Sequence, residues 1–328
     1  MARGVIRSRK LALVAAVDKD EALAGAPLHQ LLDGVSTDIA VTMSVAAALE
    51  RARGGVLLLA TGSTLDAVVS QVRAATDAGV SVVSTCPELF FPWLRYPREA
   101  QELHSAAVTA GVSVLGTGVN PGFALDRLIA AASGACGNVS RVHATRVVDV
   151  SNRPESLLRS AGVGLSPSEF RERVAAGELP GYSGLIESAA LVALGLDIDC
   201  DELIEEFEPV VATERWNGNP TIHPGDCSGY SWHACALRGG RVVIDLELTY
   251  AVGARDPRDS IVVDAEPKID FLVKGGISGG VPTAWSAVNA AANIVGAKPG
   301  LLTVFDLPVG IGSILGQTHR EDGNGPRR

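Results

Sequence analysis

The fold is decided by residues 55–89, GVLLLATGSTLDAVVSQVRAATDAGVSVVSTCPEL, in which two apolar runs enclose a stretch with helical spacing. The segment GVLLLATGST (55–64) begins with a continuous apolar run, which is typical of a strand buried on both faces. Residues 65–79 have helical spacing and end at Gly79, and VSVVSTCPEL (80–89) begins with a second buried strand. A strand, a helix and a strand of these lengths predict a parallel βαβ unit.

The same alternation of strands and helices continues on both sides of this unit. Further strands are predicted in KLALVAAV (10–17), TDIAVTM (37–43) and VSVLGTGVNPG (112–122). Helices are predicted in SVAAALERARG (44–54) and PREAQELHSAAVTAG (97–111). Residues 1–121 are therefore predicted to form a dinucleotide-binding, Rossmann-like domain of the α/β class, with a parallel sheet covered by helices.

The pattern changes after Pro121, where longer alternating segments replace the short apolar runs. These segments are VSRVHATRVVDVS (139–151), YSWHACALRGGRVVIDLELTYAVG (230–253) and SIVVDAEPKIDFLVKGG (260–276). The Arg-Gly-Gly-Arg turn at 238–241 is a hairpin signal. Residues 122–281 are thus predicted to form an α+β domain with a mostly antiparallel sheet, for substrate binding and dimerisation. Residues 282–328 are predicted to be a C-terminal helix and tail that return to the first domain.

Composition narrows the class of protein. The chain has 328 residues, of which 47% are hydrophobic and 20% charged, as expected for an α/β enzyme. Its formal net charge of −9 argues against nucleic-acid binding, which needs clustered Lys and Arg. The five cysteines form no CxxC pair, which favours the reducing cytoplasm. No apolar run approaches the length of a membrane span, so no membrane association is predicted.

Asp18 ends the predicted strand 10–17 and raises the question of a cofactor. In dinucleotide-binding folds an acid at the end of the second strand bonds the ribose hydroxyls, about 20 residues after the glycine-rich phosphate loop. Counting back from Asp18 places that loop and the first strand before Met1. Two interpretations stay open: the chain starts further upstream, or it has lost the loop and with it a normal cofactor site. An ordinary turn acid is the alternative for Asp18.

Polar clusters follow three of the predicted strands. In open α/β sheets ligands bind at the carboxyl ends of the strands, where these clusters lie. The alternative is that they are ordinary turns between strand and helix. As cofactor-binding residues, besides Asp18, the sequence predicts Thr61, Gly62, Ser63, Thr85, Asn120 and Pro121.

Glu88 is the candidate catalytic residue because it follows a strand and precedes an apolar, aromatic stretch. Desolvation by such neighbours raises the pKa of a carboxyl group, which suits a general base. A helix-capping or surface glutamate is the alternative. Phe91, Trp93 and His233 are candidates for a substrate pocket. His233 and Cys235 share a strand face, but their spacing with His223 and Asp226 fits no standard metal site, and no metal is predicted.

Four segments resemble one known family: STCPELFFPW (84–93), GTGVNPGF (116–123), RVVDVSNRP (146–154) and PGLLTVFDLP (299–308). They resemble the 2,4-diaminopentanoate dehydrogenase and native amine dehydrogenase family, relatives of dihydrodipicolinate reductase. The resemblance implies an NAD(P)-dependent oxidoreductase that acts on an amine-bearing carbon, usually as a dimer, with Glu88 acting on the amine or on water. The sequence departs from the family pattern at Pro87, at Gly279-Gly280 and in lacking the glycine loop.

The resemblance implies amine oxidation to a carbonyl and ammonia, or reductive amination in reverse. Asp18 favours NAD, whereas Lys19 weakens that preference and leaves NADP open. The expected partners are a small amine or carbonyl substrate and a second copy of the chain. One alternative is an imine or semialdehyde reductase or dehydrogenase like dihydrodipicolinate reductase. Another is a non-redox enzyme or ligand-binding protein on a Rossmann fold without its cofactor loop.

Overall fold

The computed structural model describes residues 1–179, 184–310 and 312. In these ranges the helices are α1 (Ala2–Arg7), α2 (Leu28–Leu31), α3 (Val45–Arg51), α4 (Leu65–Asp77), α5 (Pro97–Ala110), α6 (Arg127–Ser133), α7 (Glu155–Ser160), α8 (Pro167–Ala175), α9 (Leu185–Gly195) and α10 (Val281–Ile294). The strands are β1 (Ala16–Val17), β2 (Val41–Thr42), β3 (Val56–Leu59), β4 (Ser81–Ser84), β5 (Ser113–Gly116), β6 (Gly137–Asp149), β7 (Glu202–Val211), β8 (Cys227–Arg238), β9 (Arg241–Ala251), β10 (Arg258–Glu266), β11 (Ile269–Lys274) and β12 (Gly300–Leu302).

The βαβ unit predicted from residues 55–89 is confirmed. Strands β3, β4 and β5 pair in parallel, and β12 pairs in parallel with the outer side of β5. The middle strands are buried on both faces, because Val82 packs with α4 and α5 while Val83 packs with α10. A strand with helices on both sides must be apolar at every position, which explains why these runs do not alternate.

The first two predicted strands are much shorter than their apolar runs. The prediction of a strand over 10–17 was wrong in length, since β1 contains only Ala16 and Val17. These two residues pair in parallel with β2, in a sheet separate from β3. Within the described ranges β1 pairs only with β2, and β3 pairs only with β4. Residues 10–15 therefore have no neighbouring strand with which to form backbone hydrogen bonds. The hydrophobicity of residues 10–15 suggested a strand, but a strand needs a neighbouring strand for its backbone hydrogen bonds.

The second sheet has six strands in the order β11-β10-β6-β9-β8-β7, antiparallel except for the parallel pair β6 and β9. The predicted hairpin is confirmed, because Arg238 pairs with Arg241 and both intervening glycines have positive φ. One face of the sheet packs against α9, where Trp232 and Ala234 meet Leu185. This is the α+β part predicted from the alternating segments.

Two features connect the sheets. The apolar stretch FALDRLIAAA begins at Phe123, but helix α6 begins only at Arg127 because Asp126 is its N-cap. After the second sheet, α10 covers the parallel sheet, and Gly300 of β12 pairs with Ser113 of β5. The domain boundaries at 121 and 281 stay predictions from the sequence.

A buried ion pair holds the segment that leads into α10. Arg146 Nη1 lies 2.5 Å from Asp259 Oδ1, and both side chains are almost fully buried. Arg146 also donates to the carbonyl oxygen of Ile277, and the Ile277 N–H donates to Asp259 Oδ2 at 2.6 Å. Each buried charge therefore has its hydrogen-bond partners, which is the condition for tolerating it.

Removing one partner of this pair should be far more costly than removing an exposed ion pair. We expect Asp259→Ala to lower the free energy of unfolding by about 3–5 kcal/mol, because the Arg146 charge stays buried without its partner. Arg171→Ala, which breaks the exposed pair with Glu208, should cost less than about 1 kcal/mol. Denaturant unfolding of both variants measures the difference; equal losses would contradict the role given to the buried pair.

Candidate functional site

The carboxyl ends of β3, β4 and β5 place the predicted site residues along one edge of the parallel sheet. Ser84 at the end of β4 pairs with Leu59 on one side and Gly116 on the other. The segments that follow continue this order, since the Thr85 N–H donates to the carbonyl oxygen of Leu59 and the Thr117 N–H to that of Ser84. The segments beginning at 60, 85 and 117 therefore leave the sheet side by side.

Glu88 lies on a single 3-10 turn, Pro87–Leu89, directly after β4. Its Oε2 accepts a hydrogen bond of 2.6 Å from the N–H of Leu65, the first residue of α4. Thr64, the residue before that helix, supplies no side-chain cap of its own. The carboxylate thus satisfies an N–H that the helix cannot, and it interacts with the positive end of the helix dipole.

Tyr96 is a second partner of Glu88 that the sequence did not reveal. The two side chains are hydrogen-bonded, and burial together with Glu88 raises the pKa of Tyr96 to about 12. At neutral pH the phenol is therefore protonated and donates to the carboxylate. The turn that carries Glu88 also lies directly on β5, because a Cβ on Gly116 would come within 2.4 Å of the Leu89 carbonyl group.

The Thr61-Gly62-Ser63 segment leads from β3 into α4. A Cβ on Gly62 would lie 2.7 Å from the Cβ of Ala67, so this backbone packs closely on the first turns of the helix. Thr61 Oγ1 donates to Gln71 Oε1 at 2.8 Å, and both Thr61 and Ser63 are exposed. The segment therefore offers hydroxyl groups and a closely packed glycine at the edge of the sheet.

Asn120 and Pro121 follow β5 in a tight turn. Gly122 has a φ of +127°, and a Cβ there would come within 2.2 Å of the Gly118 nitrogen, so the turn requires glycine. Asn120 Oδ1 is buried and has no hydrogen-bond partner among the described residues. A buried acceptor without a donor is costly, so this oxygen suits a ligand that carries an N–H group.

Helix α10 borders this turn from the other side. Thr117 Oγ1 lies 3.4 Å from Ser286 Oγ, and a Cβ on Gly118 would lie 3.6 Å from Thr283 Cγ2. The first turns of α10 thus lie next to the turn that contains Asn120. The C-terminal region therefore contributes to the surroundings of the predicted cofactor site.

A buried carboxylate, Asp126, fixes the turn to the second sheet. It accepts hydrogen bonds from the N–H groups of Gly122 and Arg127 and from Ser188 Oγ of α9. Burial raises its pKa, and the hydrogen bonds from Gly122, Arg127 and Ser188 oppose that rise. The sequence signal was an acid at the start of an otherwise apolar helical stretch, FALDRLIAAA (123–132), which is typical of an N-cap.

Arg95 provides a second connection between the sheets. Its guanidinium donates to Glu187 of α9 and, at 2.9 Å, to Glu205 of β7. Burial opposes the charge, but Glu187 and Glu205 outweigh it and raise the pKa of Arg95. Burial also raises the pKa of Glu205, which Arg95 and Trp232 counteract as donors. The segment after Glu88 is thereby held against α9 and the edge strand β7 of the six-stranded sheet.

The three residues predicted for a substrate pocket do not come together. Phe91 packs beside α10, whereas Trp93 packs on the other face of the parallel sheet, edge-on to His104 at 5.7 Å. His233 lies on the face of the six-stranded sheet opposite to α9, where its Nε2 is 2.8 Å from Asp245 Oδ1. Their role in binding substrate stays a prediction that this arrangement does not favour.

The open face of the six-stranded sheet also holds a cluster of possible metal ligands. Ligand atoms of His143, Asp245 and Glu247 lie within 4.8 Å of one another. Asp245 is already bound by Arg141 and His233. Burial opposes its ionisation, but the hydrogen bonds from His233 and Arg141 outweigh burial and lower its pKa. The carboxylate is thus neutralised by protein groups.

Asp18 follows β1 and is exposed at the end of the two-stranded sheet. Its N–H donates to the carbonyl oxygen of Thr42, and its Oδ1 accepts from the N–H of Asp20 at 3.0 Å. This position at a strand end is the one predicted for an acid that bonds a ribose.

Comparison with known proteins identifies the family. The family described as "2,4-diaminopentanoate dehydrogenase C-terminal domain" matches residues 123–321. The chain belongs to the 2,4-diaminopentanoate dehydrogenase family. It is 28% identical over 266 residues to the 2,4-diaminopentanoate dehydrogenase of Acetoanaerobium sticklandii, which covers 77% of this chain and 74% of that protein. The resemblance found in the sequence is therefore confirmed.

Solved structures show the same fold. The amine dehydrogenase of Mycobacterium smegmatis superposes with a TM-score of 0.79 at 22% identity, covering 92% of this chain and 90% of that one. Biliverdin reductase from Synechocystis, solved with biliverdin and NADP+, gives a TM-score of 0.53 at 14% identity over 93% and 89% of the two chains. Among the described residues, no helix is both long and apolar enough to span a membrane.

The bond from Leu65 to Glu88 should contribute to stability. We expect Glu88→Ala to lower the free energy of unfolding by about 1 kcal/mol, as the loss of a helix cap does. Glu88→Gln keeps an oxygen acceptor for the Leu65 N–H, so it should lower the free energy of unfolding by only roughly a few tenths of a kcal/mol. Glu102→Ala, at an exposed ion pair with Arg73, is the control and should change little. Thermal and urea unfolding check the order, and equal effects of the Ala and Gln variants would contradict the cap.

Proposed function

We propose that the protein is a nicotinamide-dependent dehydrogenase that oxidises an amine at a CH–NH2 group to a carbonyl and ammonia, or runs the reductive amination. The observation that carries the proposal is the Glu88 carboxylate, held by Leu65 and Tyr96 at the end of β4, beside the segment with the unpartnered Asn120 oxygen. The family relationship supports it, since one relative is a 2,4-diaminopentanoate dehydrogenase and a structure of the same fold is an amine dehydrogenase.

Residues at the sheet edge fit a nicotinamide cofactor. The buried Asn120 Oδ1 offers an acceptor for the N–H groups of a carboxamide, and exposed Thr61 and Ser63 offer hydroxyls. Gly62, Thr85 and Pro121 complete the set of residues proposed to border the cofactor. When bound, the nicotinamide ring supplies the hydride acceptor for amine oxidation and the donor for the reverse reaction.

Glu88 is proposed to handle the protons of the reaction. An ammonium ion must lose a proton before its carbon can release a hydride, and the Glu88 carboxylate accepts it. The Glu88 carboxyl group releases this proton to solvent and, ionised again, takes a proton from the water that hydrolyses the resulting iminium ion. Tyr96, protonated at neutral pH, and the Leu65 N–H hold the carboxylate in one orientation through both steps. Assembly as a homodimer and location in the cytoplasm stay predictions from the sequence.

Glu88→Gln tests this role because it removes the proton acceptor while keeping the shape of the side chain. We expect kcat for amine-dependent reduction of NAD+ or NADP+ to fall by about 10²–10⁴-fold, as for the loss of a general base. Glu99→Gln, an exposed glutamate of α5, is the matched control and should leave kcat unchanged. A panel of small primary amines is assayed spectrophotometrically. Full activity of Glu88→Gln would overturn its role, and a wild-type protein inactive with every amine would overturn the proposed function.

Asp18 should govern the choice between the two cofactors. Its exposed carboxylate favours a ribose with a free 2′-hydroxyl and repels a 2′-phosphate. We expect NADH to bind more tightly than NADPH, and Asp18→Asn to narrow the ratio of the two dissociation constants by roughly tenfold. Calorimetric titration measures both, with Glu21→Gln as a control for general loss of negative charge. An unchanged ratio in Asp18→Asn would show that this acid does not contact the ribose.

A further inference from the structure

The open face of the six-stranded sheet brings four polar side chains together at its centre. His143 of β6 pairs in register with Asp245 of β9, and Thr145 pairs with Glu247. All four project from the face opposite to α9, because side chains alternate along a strand and the intervening residues pack in the core. Ligand atoms of His143, Asp245 and Glu247 lie within 4.8 Å of one another. Two strands that are paired on both sides therefore hold a group of metal-ligating side chains.

Thr145 fixes the orientation of two of these side chains. Its Oγ1 lies 3.2 Å from His143 Nε2 and donates to Glu247 Oε2 at 3.5 Å. A hydroxyl group carries one hydrogen, so a Thr145 hydroxyl that donates to Glu247 must accept from an Nε2–H of His143. The tautomer assigned from this hydrogen-bond network leaves the lone pair of the imidazole on Nδ1.

The Nδ1 atom of His143 faces a carboxylate without bonding to it. The atom is buried, and among the described residues nothing is placed in hydrogen-bond geometry with it. Asp245 Oδ2 lies 3.2 Å away. An imidazole lone pair and a carboxylate oxygen both present negative charge at that distance, and they repel each other unless a cation lies between them. The tautomer assigned from Thr145 thus directs two electron-pair donors at one point, which is what a metal cation requires.

The charges of the cluster also favour a cation. The Asp245 side chain is 13% exposed and bonds Arg141 at 2.5 Å and His233 at 2.8 Å. Glu247 forms no ion pair in the part of the chain that the structure describes, and its contact there is the Thr145 hydroxyl. The Arg141 side chain is 47% exposed, so it can turn into solvent at little cost and release Asp245 Oδ2. A divalent cation compensates both carboxylates, which Arg141 alone does not.

We propose that His143 Nδ1, Asp245 Oδ2 and a carboxylate oxygen of Glu247 bind a divalent transition-metal cation such as Zn²⁺. An imidazole nitrogen with two carboxylate oxygens suits zinc and its neighbours, whereas Mg²⁺ and Ca²⁺ prefer oxygen ligands only. Bonds of about 2.0–2.2 Å require the three ligand atoms to close in, and the exposed Glu247 side chain can rotate to do so. Three protein ligands leave a fourth position for water.

This site is independent of the proposed dehydrogenase function. It lies on the sheet face opposite to α9, whereas Glu88 lies at the end of β4 in the parallel sheet. The cation links β6 to β9 and stabilises the sheet, and Thr145 is an outer partner that orients two ligands, as such groups do in metal sites. Spacing along the chain did not reveal the site, because only the parallel pairing of β6 with β9 aligns the ligands.

Calorimetric titration of ZnCl₂ into the metal-free protein tests the site, in a Cys200→Ser background that removes an exposed thiol able to compete for zinc. We expect one equivalent of Zn²⁺ to bind with a dissociation constant of roughly 1 μM or below, and Mg²⁺ and Ca²⁺ to bind at least about a hundredfold more weakly. Zinc should also raise Tm, because only the folded protein forms the site. Absence of stoichiometric zinc binding, or tighter binding of Mg²⁺ or Ca²⁺, would overturn the proposal.

Single substitutions show whether the zinc is bound at this cluster. His143→Gln should weaken zinc binding at least about a hundredfold and Glu247→Gln about tenfold, because each removes a ligand. His29→Gln, at an exposed histidine elsewhere, is the control and should leave the affinity unchanged. Zinc binding that survives both ligand substitutions places the metal elsewhere and refutes the site. Because Glu247 is exposed, its variant keeps the test valid if His143→Gln does not fold.

Arg141 supplies a test of opposite sign. Arg141→Gln removes the cation that competes for Asp245, so zinc should bind about tenfold more tightly even though an ion pair is lost. Thr145→Val keeps the shape of the side chain without its hydrogen bonds and should weaken zinc binding about 10- to 100-fold, and Thr145→Ser should restore it. Weaker zinc binding in Arg141→Gln, or unchanged binding in Thr145→Val, contradicts the proposed ligand set.

Discussion

The structure depends on one buried carboxylate, that of Asp126. It lies where the turn after β5, the start of α6 and helix α9 meet, and it takes one hydrogen bond from each of them. A carboxylate out of water is tolerated only with such a set of donors, so the three elements are held at fixed positions relative to one another. The neighbouring Arg127 side chain extends the constraint to the C-terminal region through the carbonyl oxygen of Val304. Asp126 therefore fixes the turn that contains Asn120 relative to α6 and α9.

The hydrogen bonds of Asp126 and Arg95 join the elements of the parallel sheet to α9 and the six-stranded sheet beside Glu88. The parallel sheet supplies Glu88, whose orientation is set by Leu65 and Tyr96. The second sheet is held against the same segment by Arg95. Close backbone approach at Gly116 removes the space in which the Glu88 turn would otherwise move. Proton transfer requires a carboxylate within hydrogen-bond reach of the proton it accepts, and the contacts with Leu65, Tyr96 and Gly116 restrain Glu88 and its turn in this way.

The sequence predicted the elements that local hydrophobic pattern determines. It did not predict the strand lengths and contacts that depend on residues far apart in the chain. The apolar run 56–59 packs on both of its faces, towards α4 and α5 on one side and towards α10 on the other. Its strand could therefore be found without the structure. The run 10–17 is equally apolar, but only Ala16 and Val17 have a strand beside them. Glu88 was recognised at a strand end, yet its bond to Leu65 joins residues 23 positions apart, which no local pattern encodes. Alternation placed His233 and Cys235 on one face of their strand, but only the packing of α9 on the Trp232 face shows that the His233 face is the open one.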